Sequence, residues 1–134
     1  LELRYEDVPT WLKRVYHRYD FEMNVNYFYQ LPDPVLGVHR HYGTDQIRKG
    51  THFVNSSRYS NPKLDALLDS GAGEPDAAKR TAKYKEIQQI LAEDMPVVNL
   101  FELEFLVVYN TKLKGVYGSA MGAYGSFREG YLDD

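Results

Sequence analysis

The chain has 134 residues, of which 43% are apolar and 26% charged, and it carries a formal net charge of −3. That balance suits one domain, or one piece of a larger protein, with a core of its own, and it lies far from the composition of disordered chains. Lysine and arginine never gather into a basic run, which removes electrostatic support for nucleic acid, the apolar run LVVY at 106–109 is far too short to cross a bilayer, and the lack of cysteine removes thiol nucleophiles, disulfides and thiolate metal sites.

LELR, at the start, alternates as a strand does, and the absence of an initiating methionine reads as a chain cut within something longer. Val8, Trp11, Leu12, Val15, Tyr16 and Tyr19 then recur at helical spacing after Asp7 as N-cap and Pro9 in the first turn, which predicts a helix over 7–19. In YDFEMNVNYFYQ the period becomes two. Phe21, Met23, Val25, Tyr27 and Tyr29 fall on one side and Glu22, Asn24, Asn26, Phe28 and Gln30 on the other, which predicts a strand over 21–29 with its apolar side in the core. LPDP stops it, because two prolines leave a ladder without donors.

From Leu31 to Ser60 the chain is a long polar excursion dotted with aromatics, with a short helical turn expected near 35–42. RYSNPKLDALL follows. Asn61 is placed as an N-cap, Pro62 as the first helical residue, and Leu64, Leu67 and Leu68 form one apolar stripe, so a helix is expected over 62–70. SGAGEP ends it. Asp76 caps a third helix over 77–94, whose inner side carries Ala77, Arg80, Thr81, Tyr84, Ile87, Gln88 and Leu91. Met95 and Pro96 terminate that helix, and VVNLFELEFLVVYN reads as one long strand, or two sharing a bend, over 97–109. Beyond Lys114 the segment is rich in glycine and aromatics without a sustained period, and it reads either as a frayed terminus or as a surface made to pack on something else.

Few constellations here could run a reaction. Glu102 and Glu104 share one face of the expected strand, as glycosidase carboxylates do, although adjacent glutamates on a solvated edge are far commoner. His39 and His41 in VHRHY could share a face and ligate a metal, but no third ligand has a convincing spacing and an exposed basic loop is the better reading. Gly118, Gly122 and Gly125 form neither a dinucleotide fingerprint nor a phosphate loop, and no GxSxG or HExxH occurs. No catalytic residue, cofactor or metal is therefore expected. Twelve tyrosines, six phenylalanines and one tryptophan suit a cleft that holds polar ligands, although core packing is the commoner role of any one ring.

The ordered series of NSSRYSNPKLDALL from Asn55, DAAKR from Asp76 and YKEIQQILAEDMP from Tyr84 resembles the C-terminal part of the family-5 extracellular solute-binding proteins, the peptide-type receptors of ATP-binding-cassette importers. The resemblance extends upstream through YDFEM and the Asp33-Pro34 step and downstream through FLVVYN and LKGV, nearly the whole chain. It implies an α/β class, here an α+β-like fragment: the C-terminal lobe of a two-lobe periplasmic-binding-protein fold, a small mixed sheet flanked by helices. Residues 1–115 would be that partial lobe, and 116–134 a tail returning toward an N-terminal lobe.

The implied function is capture of a peptide or related small polar ligand between two lobes, outside the cytoplasmic membrane, and delivery to a membrane permease, with no chemistry performed. The parent would be periplasmic, or extracellular and membrane-anchored, and made with a signal peptide. An isolated lobe could self-associate through apolar surface. Ligands of open α/β sheets sit at strand carboxyl ends, which nominates Tyr27, Tyr29 and Gln30 as ligand-binding residues and leaves Asp33 as a turn cap. In the peptide binders an aspartate three residues before the Asp-Pro-like step can hold the ligand's ammonium. Gln30 occupies that place here and cannot form the charge-assisted pair, which leaves room for a sugar, an opine-like compound, a chelated metal or a modified peptide. Two rivals stand beside this reading: a small glycoside-type hydrolase using Glu102 and Glu104, and a protein-interaction module that docks through residues 116–134.

Overall fold

The computed structural model describes residues 2–102, 106–116 and 125–133. They fall into two compact units, Leu1–Val98 and Asn99–Asp134.

In the first unit, Asp7 caps helix α1 (Val8–Leu12) by accepting the N–H and the hydroxyl of Thr10, each at 2.9 Å. The helix continues as a π-helical turn, Lys13–Arg18, rather than as the regular helix the spacing predicts over 7–19. The widening has a local cause. The N–H groups of Tyr19, in the left-handed region at φ 54°, and of Asp20 both reach back to the carbonyl of Arg14, whose guanidinium is held between Glu6 and Asp20. Val15 and Tyr16 are buried with Val54, and Trp11, Leu12 and Phe21 pack against them; the Trp11 ring meets Tyr16 edge-on at 5.7 Å.

The excursion from 31 to 60 is built of short pieces: a 3₁₀ turn at Pro34–Leu36, helix α2 (Val38–Tyr42) and a second 3₁₀ turn at Thr44–Gln46. Helix α3 (Pro62–Ala72) and helix α4 (Ala77–Asp94) then pair, burying Leu64, Leu68 and Ile87, each worth about 1.5–3 kcal/mol of transfer free energy. Asn61 and Asp76 cap them as the sequence predicts, Asn61 accepting from Lys63 and Leu64 and Asp76 from Lys79. Helix α3 outlasts its predicted end at 70 because Gly71 belongs inside it. A Cβ there would lie 3.3 Å from the Tyr84 ring, so the glycine serves the close approach of the two helices before it serves termination.

The segment 21–29 carries no strand among the described residues; Phe21 and Tyr29 are half-buried as the alternation predicts, but between them the faces are reversed. Met23, Val25 and Tyr27 are 72%, 71% and 56% exposed, while Asn24, Asn26 and Phe28 are half-buried. A strand exists only through a neighbour's ladder. With none alongside, the segment is fixed by side chains instead: the Asn26 amide donates to the Tyr16 hydroxyl at 2.8 Å, and Phe28 lies on His41 with ring centroids 3.9 Å apart. LELR likewise forms no strand over its described residues 2–4.

In the second unit, strands β1 (Leu113–Lys114) and β2 (Tyr131–Leu132) pair antiparallel, with Leu113 opposite Leu132 and Lys114 opposite Tyr131. Gly115, at φ 70°, admits the carbonyl of Glu129 where a Cβ would clash at 2.2 Å. The strand expected over 97–109 has no ladder in its described residues, and 103–105 lie outside them. Of the tail at 116–134, residues 117–124, with Gly118 and Gly122, lie outside the description as well.

Two buried polar side chains govern the first unit. Asn55, 1% exposed, donates its amide to the carbonyls of Gly43 at 3.0 Å and Tyr59 at 2.8 Å, and accepts from the Tyr59 N–H and the Ser57 hydroxyl. His41, 2% exposed, has no hydrogen-bond partner for either ring nitrogen, and burial followed by the charge of Arg40 lowers its pKa from 6.5 to about 4.

Asn55→Leu should cost about 2–4 kcal/mol, since buried carbonyls lose their donors, and Asn55→Asp should cost more, because it turns an oxygen toward those carbonyls; urea unfolding reads both. A histidine that protonates less readily folded than unfolded contributes full stability above pH 6.5, loses it as the pH falls toward 4, and loses nothing further below that. The loss attributable to His41 is about 3 kcal/mol. Carboxylates whose pKa values are lowered by partners, such as Asp33 and Asp94, add their own loss in acid, which a variant shares. The stability difference between the parent and His41→Leu should therefore widen between pH 6.5 and 4. Parallel curves would show that the ring takes its proton without cost to the fold.

Candidate functional site

The nominated residues lie on one stretch that backs onto α2. Tyr27 is exposed, its ring 6.3 Å from that of Phe53, and its N–H donates to the side chain of Asn26. Tyr29 is half-buried, and its carbonyl accepts from Arg40 Nη2 at 3.5 Å. Gln30 is exposed with its amide oxygen lying over Gly37, where an added Cβ would come within 2.0 Å of it. The stretch then turns at Asp33, which accepts the N–H of Val35 at 2.9 Å and a guanidinium N–H of Arg80 at 2.8 Å. The backbone bond first and the guanidinium second hold the Asp33 carboxyl below the usual carboxylate range. Asp33 is thus the turn cap its position implies, and it also tethers the turn to α4.

Two residues that sequence reasoning did not nominate join the stretch. Arg40 is half-buried, its Nε has no hydrogen-bond partner, and no carboxylate pairs with it among the described residues. His41 lies beneath Phe28 with both nitrogens unpartnered. Buried polar atoms are almost always satisfied, yet three unsatisfied side-chain atoms meet on adjacent residues, next to the stretch that the resemblance nominates. No local signal in VHRHY separates a buried histidine from an exposed one, because burial here depends on a phenylalanine thirteen positions earlier.

The expectation of an exposed basic loop at VHRHY does not hold. The segment is helix α2, where positions two apart diverge rather than share a face. His39 turns toward acid, its Nε2 3.4 Å from Asp45 and 3.9 Å from Asp69, while His41 turns inward. Among the described residues, no three histidine, aspartate or glutamate side chains are placed to hold a metal. Glu102 is exposed, and Glu104 lies outside the described residues.

Two open concavities lie elsewhere on the first unit. One, of about 510 Å³, is lined by Pro9, Leu12, Lys13, His17, Arg18 and His52. The other, of about 330 Å³, lies along α4 beside Pro34 and includes Arg80 and Tyr84, whose ring Arg80 covers at 5.3 Å. Neither is lined by Tyr27, Tyr29 or Gln30. Among the described residues no helix is long and apolar enough to cross a membrane.

No family model matches the chain, and no solved structure matches it. It is 29% identical over 97 residues to the probable D,D-dipeptide-binding periplasmic protein DdpA of Escherichia coli (strain K12), a match that covers 72% of this chain and 18% of that protein. It is 34% identical over 67 residues to Protein XP55 of Streptomyces lividans, covering 50% of this chain and 12% of that one. To the probable ABC transporter periplasmic-binding protein SapA of E. coli it is 30% identical over 69 residues, covering 52% and 13% respectively. The chain spans less than a fifth of the length of these relatives, two of which are described as probable periplasmic binding proteins, one of them of an ABC transporter.

Proposed function

We propose that this chain is part of the C-terminal lobe of a family-5 extracellular solute-binding protein, which captures a small polar solute outside the cytoplasmic membrane and presents it to the permease of an ATP-binding-cassette importer. The observation that carries the reading is the similarity of 72% of the chain to a periplasmic binding protein. No reaction is performed. Ligand contacts from two lobes favour a closed state over an open one, and the binding free energy drives the hinge.

Two structural features support it. Met23, Val25 and Tyr27 form an exposed apolar row that a packed layer of a longer protein would cover. The unsatisfied nitrogens of Arg40 and His41 are polar groups in want of partners, next to Tyr29 and Gln30. A glutamine and a guanidinium with no carboxylate partner among the described residues hold an ammonium less well than a carboxylate would. They suit a ligand that offers a neutral or anionic oxygen at this end, a modified or acylated peptide before one with a free amine.

The test is native mass spectrometry of the protein that carries this chain, purified gently and then denatured to release its solute. Isothermal titration with D-alanyl-D-alanine and its N-acetyl derivative complements it. A released small polar solute is expected, together with binding of the acetylated probe at least as tight as that of the free amine and about tenfold or more weaker in Arg40→Gln, the loss of a charge-assisted bond. A protein that holds no solute and closes on none would overturn the receptor reading. A strong preference for the free amine would overturn the role given to Gln30 and Arg40 alone.

A further inference from the structure

The larger concavity contains a feature that solute capture does not use. His17, in the π-helical turn, and His52, in the loop that follows Gly50, are 35 residues apart in sequence, yet their Nε2 atoms lie 3.1 Å apart, with ring centroids separated by 5.3 Å and planes inclined at 51°. Both side chains are exposed. Their frame is not. The Gly50 N–H donates to the carbonyl of Tyr16 at 2.8 Å, tying the loop to the turn, and Gly50 itself sits at φ 88°, beside the His17 ring. The His52 ring lies 5.8 Å from Tyr16, and the next residue, Phe53, lies 5.9 Å from Tyr16 and 6.5 Å from Trp11. The two imidazoles are thus mounted on two segments that meet at Tyr16.

Two Nε2 atoms that converge can share one proton or aim two lone pairs at one cation. Metal–imidazole bonds of about 2.0–2.1 Å place two nitrogens about 3.3 Å apart on a tetrahedral ion and about 2.9 Å apart in adjacent square-planar positions. The observed 3.1 Å falls between these, so both rings can ligate with movements of a few tenths of an ångström. We propose that His17 and His52 form a two-imidazole site for a borderline divalent transition-metal ion of the zinc, nickel or copper class, with its remaining coordination positions open to water or to an anionic oxygen donor.

The surroundings set the character of the site. No carboxylate lines the concavity, so calcium and magnesium, which take oxygen ligands, find nothing there. Lys13 and Arg18 line it with the two histidines. Their charges oppose a bare dication and favour one that arrives with an anionic co-ligand, so the site is weaker than a closed four-ligand centre. Its open positions make it a place where a metal meets a second molecule, not a staple for the fold.

The histidine pair lies apart from Tyr27, Tyr29 and Gln30, and metal alone tests it. Isothermal titration of the native protein with Zn²⁺ and with Ni²⁺ at neutral pH should show one equivalent bound and no heat with Mg²⁺. His17→Ala and His52→Ala should each bind about tenfold or more weaker, since either change removes the chelate, while His39→Ala, away from the pair, should bind as the parent does. Because both rings are exposed, the variants should keep the parent's circular dichroism, so loss of binding will not reflect unfolding. Absence of Zn²⁺ and Ni²⁺ binding, or equal binding in parent, His17→Ala and His52→Ala, would overturn the site and leave the pair as a proton-sharing hydrogen bond.

Discussion

The first unit depends on one buried amide. Asn55 reaches the carbonyls of Gly43 and Tyr59 together, and in doing so it folds the irregular run between α2 and α3 onto itself. Two consequences follow from that closure. Tyr59 is positioned to give its hydroxyl to Asp94, which also accepts from Asn61, so the start of α3 is clamped to the end of α4 by Tyr59 and by its own cap, Asn61. Burial and the negative neighbour Asp94 push the Tyr59 hydroxyl up to about 12, so it stays a donor across the whole physiological range. On the other side, Thr44 is held by Asp65 through its N–H and by Ser60 through its hydroxyl, which fixes the exit of α2. The dense specification of RYSNPKLDALL is thus structural: it closes a loop and joins two helices, and the position of α2 is inherited from it.

What the sequence made legible was local. Asp7, Asn61 and Asp76 announce their helices because a cap is satisfied within three residues, and the stripe of Leu64 and Leu68 finds its partner in the next amphipathic segment. The π-helical turn was not legible, since it depends on Arg14 meeting both Glu6 and Asp20, a balance of charges that helical periodicity does not encode. Alternation over 21–29 states only that two faces differ. It cannot state which face turns inward, and here Asn26 and Phe28 win because Tyr16 and His41 offer them specific partners. Tyr27, Tyr29 and Gln30 were nominated through the resemblance and an expected strand end, whereas Arg40 and His41 become visible once the absence of their partners can be seen. The His17 and His52 pair lies beyond sequence reading altogether, being created by a loop that returns over 35 positions.

The electrostatics of the nominated stretch bear on what it could hold. The chain is acidic overall, with a net charge of −3, and its other half-buried guanidiniums are neutralised: Arg14 by Glu6 and Asp20, Arg80 by Asp33. Arg40 alone among these is left without a carboxylate among the described residues, and its charge reaches inward to His41, whose ring it helps to keep neutral. Leaving a guanidinium half-desolvated and unpaired is costly. An anion supplied from outside would remove that cost, so an anionic ligand would gain both the new bond and the relief of the unpaired charge. An ammonium at the same place would gain a bond to the Gln30 oxygen but no ion pair, and Arg40 would repel it. Under the solute-binding reading, Gln30 in place of a carboxylate and an Arg40 without a carboxylate among the described residues would act in the same direction, and selectivity against a free amine would come from repulsion as much as from a lost attraction.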